Sequence, residues 1–207
     1  APPPTPQQRP PVRSLEIIGC DQDGLDPRTA HVIASALDDL SAKYPIPLRG
    51  IEISEPVGGE VQRTGPGPGT EDDSGFWLVL DRTLVRPEPR PSRQRWFRRT
   101  FDRAVYAAVV REYAHALDRA GNFAAHEQAW QTALSDTLHG GSAGYNALDP
   151  AQTLVDGFTE VVLRGKRAGK TATKLHNALA EAVPDYAADR DAGGKDRGGS
   201  PRNRRTR

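Results

Sequence analysis

Residues Arg111-Glu112-Tyr113-Ala114-His115 lie in the stretch VVREYAHALDRAGN (109–122), one substitution away from a zinc-binding pattern. Two histidines four residues apart on a helix point the same way, and a glutamate beside the first can take a proton from a metal-bound water. Positions 111, 112 and 115 have that spacing, but Arg111 stands where the first imidazole would be. A guanidinium stays protonated and has no lone pair to give a metal. A lone Glu-x-x-His pair is common in helices, so the surrounding sequence has to decide what it means.

That surrounding sequence has a pattern of its own. REYAHALD (111–118) resembles the active helix of the zincin metallopeptidases, H-E-[FY]-G-H-A-L-D, agreeing at Glu112, Tyr113, His115, Ala116, Leu117 and Asp118. Downstream, SAGYNALDPAQTLVDGFTEV (142–161) is similar to the second element of the Pro-Pro endopeptidases, the lethal-factor toxins and zincin-like domains of phage or toxin proteins. In that element a tyrosine stands seven residues before a glutamate. Its hydroxyl stabilises an oxyanion, and the glutamate is the third metal ligand. The resemblance puts Tyr145 at the tyrosine and Gln152 at the ligand position, with Asp156, Phe158 and Glu160 continuing the acidic-aromatic pattern. It covers Leu15 to Val183 and implies a zincin-like fold, in which the edge strand FWLVLD (76–81) precedes the active helix and pairs with substrate backbone.

The departures from the pattern set the expected function. Gln152 offers a neutral amide oxygen, a poor zinc donor beside a carboxylate. With Arg111 and Gln152 at two ligand positions and only His115 intact, the expectation is a degenerate metal site with no metal or other cofactor, where Glu112 and Tyr145 are vestigial catalytic groups. Neither Asp156 nor His126, which opens HEQAW, restores a trio with His115. A buried carboxylate without a counter-charge is costly. Arg111 is therefore expected to pair with Glu112, Asp156 or Glu160 in an ion-pair cluster, the competing reading being that it points to solvent.

The resemblance thus implies a catalytically inactive zincin-like module with a binding or structural role in a larger secreted toxin or phage particle protein. Its partner would be a protein or peptide held on the edge strand. Two alternatives stay open. One is an active zinc peptidase with ligands drawn from His126, Asp156 or Glu160. The other is a nucleic-acid-binding module built on eight arginines between positions 82 and 103 and on the basic tail. Arginines among aromatics can contact phosphates and stack on bases. With 28 basic against 27 acidic residues, however, no global field supports that reading.

The elements that must position these groups are readable from periodicity. Asp26-Pro27 reads as N-cap and first helical residue, and Val32, Ile33, Ala36, Leu37 and Leu40 recur at helical spacing. SLEIIGC (14–20), LRGIEIS (48–54) and FWLVLD (76–81) have strand character. Between the last two lies a glycine- and proline-rich run that reads as a long loop. Further helices are predicted over 99–120, 124–138, 149–163 and 171–184, the first stopped by Gly121-Asn122. The sum is an α+β fold, a small mixed sheet with helices packed on it, occupying 14–187.

Before it, residues 1–13 carry six prolines in APPPTPQQRPP and read as a linker; after it, 188–207 reads as a glycine-rich, basic, disordered tail. A start at Ala1 and the lack of methionine predict a segment of a longer polypeptide, joined to other domains. Cys20 is the single cysteine, so no internal disulfide is possible within the chain, and it reads as a small buried residue. No apolar run reaches membrane-spanning length, so a soluble chain with no membrane partner is expected. Trp77, Trp96 and Trp130 are expected in the core or the cleft wall, and His31, His139 and His176 at ordinary structural positions.

Overall fold

The structure is a computed structural model that describes residues 15–19, 25–54, 75–85, 95–139 and 144–184, the side chains of 95–98 excepted. The expected linker, the tail, Cys20, the glycine-rich run from 55 to 74, Trp96 and most of the arginine-rich stretch lie outside the described residues or side chains.

Strand β1 (Glu16–Ile18) leads to helix α1 (Pro27–Lys43), followed by β2 (Leu48–Ser54) and β3 (Phe76–Asp81). Asp26 caps α1 by accepting the Thr29 N–H at 3.1 Å, and Pro27 fills the first turn, where no N–H is needed. The helix buries Ile33, Ala36, Leu37 and Leu40 along one face. The strands order β1-β2-β3, with Ile17, Ile51 and Leu78 side by side, and both pairings are parallel. This corrects the expectation of a mixed sheet. Parallel neighbours need a crossover connection; α1 supplies the first, and residues 55–74 leave length for the second. Strand periodicity carries no information about direction. Ile51, Ile53, Leu78 and Leu80 join the core with α1, while Trp77 closes over the other face at Gly50. A side chain there would begin 2.7 Å from the indole.

After β3, Asp81 accepts both the N–H and the hydroxyl of Thr83, at 2.7 and 2.8 Å, and starts a short turn of helix, α2 (Arg82–Val85). The long helix α3 (Arg95–Ala120) begins four residues before the expected start, since no proline intervenes after Pro91. It buries Val105, Val109, Val110, Tyr113, Ala114, Ala116 and Leu117, positions that run around most of its circumference. From Val109 to Ala120 only a stripe through Arg111, Glu112, His115 and Arg119 keeps any exposure. On one side of α3 pack α1 and β3; on another pack α5 (Pro150–Arg164) and α6 (Lys170–Ala182). Asp149 caps α5 by accepting the Gln152 N–H at 3.0 Å. Gly157 lets α5 and α6 close tightly, because a Cβ there would stand 2.6 Å from the Leu175 Cβ.

Three elements meet at Tyr44. Buried Tyr113 donates its hydroxyl to the Tyr44 carbonyl at 2.7 Å, and burial pushes the Tyr113 phenol pKa far above its ordinary value. His176 on α6 stacks on Phe158 of α5 at 5.3 Å, and its Nε2 lies 2.6 Å from the Tyr44 hydroxyl. Its Nδ1 faces the Asn177 amide oxygen at 3.0 Å, so the tautomer with the proton on Nδ1 lets Nε2 accept from Tyr44.

Between α3 and α4 (His126–Leu138), Asn122 and Phe123 both have positive φ, 50° and 61°. Asparagine tolerates the left-handed region; phenylalanine is strained there. Backbone bonds from Asn122 to the Arg119 carbonyl and from Phe123 to the Asp118 carbonyl, both 2.9 Å, hold the turn. A side-chain bond reinforces it: His126 Nε2 lies 2.8 Å from Asp118 Oδ2. Asp118 is only 4% exposed, and among the described residues its Oδ1 has no hydrogen-bond partner. Burial raises the Asp118 pKa above the usual carboxylate value, against the lowering effects of His126 and Arg119.

His126→Ala should therefore cost about 2–4 kcal/mol in denaturant unfolding near neutral pH, because it strands a buried carboxylate. A raised folded-state pKa means that the folded protein takes up the proton before the unfolded chain does. The variant's deficit should shrink as pH falls through that raised value toward 3.8. A deficit that stays constant or grows on acidification would show that the carboxylate is not the source of the loss.

Candidate functional site

Helices α3 and α5 lie side by side, and the residues singled out by the resemblance fall on both. Arg111 and His115 are one turn apart on α3; Gln152, Asp156 and Glu160 are successive turns of α5; Tyr145 lies in the approach to α5.

Asp156 joins the two helices. Gln152 Nε2 donates to Asp156 Oδ1 at 2.9 Å, and Arg111 Nη2 approaches the same oxygen at 3.8 Å. Of the three partners considered for Arg111, the structure thus records Asp156. The Arg111 and Asp156 side chains are 56% and 43% exposed. A pair this open and this long contributes under about 1 kcal/mol, so it does not amount to a buried ion-pair core. Glu112 on the same α3 stripe acts on Arg119. Burial lowers the Arg119 pKa, and the charges of Glu112 and Asp118 oppose that.

Tyr145 is held differently. Its hydroxyl donates to Glu160 Oε2 at 2.9 Å, while Glu160 Oε1 accepts from the Gly169 N–H at 3.0 Å and from Arg164 Nη1 at 3.2 Å. Burial first, then Glu160, Asp156 and Asp136, push the Tyr145 phenol well above its ordinary pKa. Three carboxylates from α4 and α5 thus act on one hydroxyl, which stays a donor. The Glu160 pKa is lowered, chiefly by the Gly169 N–H. Asp136 in turn accepts from Thr171 at 2.7 Å, tying α4 to α6.

Asp156 thus gathers Arg111, Gln152 and the field at Tyr145. His115 lies on the neighbouring α3 stripe, half-buried. His126 is engaged by Asp118 at the α3–α4 turn. Among the described residues, no group of three His, Cys, Asp or Glu side chains is placed to hold a metal ion. Arg111, His115, Tyr145 and Gln152 do not border the cavity of about 150 Å3 that lies between β1 and α1 and is lined by Leu15, Ile17, Ile33, Leu37 and Ile53 among others. The Glu160–Arg164 contact was readable from i,i+4 spacing. The Glu160–Gly169 and Asp136–Thr171 bonds have no local signature.

No family model, curated protein or solved structure matches the chain. Among the described residues, no helix is long and apolar enough to cross a membrane.

Glu160→Gln should lower stability near neutral pH by about 1 kcal/mol, since a charge-assisted acceptor becomes a neutral one at a partly exposed site. With a depressed folded-state pKa, the stabilisation by Glu160 is present above the ordinary value of 4.5 and is lost as pH falls through the lower folded value. Urea midpoints of parent and variant should converge in acid. Midpoints that stay apart there would show that ionisation is not the origin.

Proposed function

We propose that this chain is a zincin-like module without peptidase activity, a pseudo-metallopeptidase domain that binds a protein or peptide partner within a longer polypeptide. The observation that supports it most directly is the arrangement at Asp156, where a permanent cation on α3 and an amide on α5 meet one carboxylate. A metal centre on these two helices needs neutral imidazoles and carboxylates as donors. Arg111 supplies a positive charge that is independent of any ion, and Gln152 turns its amide N–H toward Asp156. Electrostatically, the guanidinium stands in part for a cation, and the open setting keeps desolvation costs small.

Partner binding draws on the sheet. β3 is one of the two outer members of the three described strands, the one that runs directly into α2. An extended peptide laid along its outer edge would gain main-chain hydrogen bonds, and the polar stripe of α3 would meet its side chains. A secreted toxin and a phage particle protein are the settings that the resemblance suggests for such a module.

The test restores donors at both substituted positions. Arg111→His combined with Gln152→Glu should take up about one zinc per chain, measured by atomic emission after dialysis, while parent and single variants take up none. A double variant that keeps the parent's circular dichroism and melting transition but binds no zinc would falsify the assignment of these positions.

A further inference from the structure

The outer face of α4 carries Trp130, Leu134 and Leu138, each four residues after the last, so the three form a stripe along the helix. They are 43%, 36% and 75% exposed. Phe123, 49% exposed, stands at the helix start with its ring 5.3 Å from that of His126. Sequence reasoning expected Trp130 in the core or a cleft wall; its helix instead buries Ala129 and Ala133 and turns the indole outward. Small residues on the inner face let α4 approach its neighbours closely, which leaves the large ones outside.

The chemistry of the stripe is restrictive. From Gln128 to Leu138 the only charged residue is Asp136, which accepts from Thr171 on α6. At the N-terminal end of this face exposed Glu127 accepts from the Gln131 amide at 2.6 Å, so its charge sits beside the stripe rather than within it. Fully exposed aromatic side chains offer on the order of 150–250 Å2 each, so the four residues present on the order of 400 Å2 of apolar surface at the exposures given. That matches the largest apolar patch of a typical monomer, which is often a functional surface. A standard interface covers about 800 Å2 on each partner, a little over half of it apolar. The stripe therefore supplies most of the apolar core that a twofold dimer requires.

It also fits a copy of itself. When two α4 helices cross antiparallel on a twofold axis at Leu134, each Trp130 meets the partner's Leu138, the two Leu134 side chains meet each other, and Gln131 faces the partner's Thr137. No like charges face one another in that register. We propose that this chain forms a twofold homodimer through the Trp130–Leu134–Leu138 face of α4. This goes beyond the proposed function and does not depend on it.

Sedimentation equilibrium of the full 207-residue chain over about 1–100 µM should show a dimer. Trp130→Glu with Leu134→Glu should weaken association by at least about tenfold while circular dichroism and melting of the monomer stay unchanged. Leu84→Glu, at an exposed leucine on α2, should leave the dimer intact. In a Cys20→Ser background, Leu134→Cys should form an intermolecular disulfide under mild oxidation, because the twofold axis brings the two introduced thiols together. A parent chain that is monomeric throughout the range, the outcome if another domain or protein covers this face, would overturn the proposal. So would a dimer indifferent to the α4 double substitution, or introduced thiols that fail to cross-link.

Discussion

Everything else in this fold is arranged around the burial of α3 on most of its circumference. A helix with one buried face can be capped by a sheet alone. α3 instead packs against α1 and β3 and also against α5 and α6, with Val105, Val109, Leu117 and Ala120 all in the one core. Each fully buried aliphatic side chain contributes about 1.5–3 kcal/mol. No single polar contact described in the structure equals the sum of that packing. From Val109 to Ala120 the polar residues other than Tyr113 and Asp118 are consequently confined to one stripe.

That confinement explains why the candidate site is electrostatically modest. Arg111 and Asp156 remain in contact with water, so they can be exchanged at little cost to the fold. Asp118 is the opposite case. It lies on the buried side of the same helix, and among the described residues its side-chain hydrogen-bond partner is His126. Within one eight-residue segment of α3, the exposed Arg111–Asp156 contact is thermodynamically light and the buried Asp118–His126 contact is heavy. Spacing in the sequence drew attention to the first, and burial identifies the second.

Legibility followed the same division between local and non-local. Asp26-Pro27 and Asp149-Pro150 announced helix starts because an N-cap and a first-turn proline act within three residues, and both caps make the predicted backbone bond. The alternation in LRGIEIS and FWLVLD located β2 and β3. Strand direction was not legible, since it depends on how the chain returns between strands. Nor was α2, which rests on an Asp81 side chain that local pattern alone left as a strand end. At the candidate site, the i,i+4 relation of Gln152 and Asp156 was visible as spacing. The approach of Arg111 to Asp156, 45 positions on, required the packing of two helices. The pairs Asp118–His126 and Tyr44–His176 involve residues whose types fit many roles, and only tertiary structure selects one.

The Tyr44–His176 contact bears on the order in which the molecule can be completed. It spans 132 positions and joins the end of the first helix to the last. During synthesis the ribosome delivers α1, the strands and α3 before α6 exists, so the nascent chain carries Phe158 and the Tyr44 hydroxyl with their final neighbour still missing. Leu175 and Leu179, both fully buried at the end, arrive in the same late segment. Closure by α6 therefore follows the synthesis of every other described element, and until it happens the emerging polypeptide offers a greasy opening of the kind chaperones recognise.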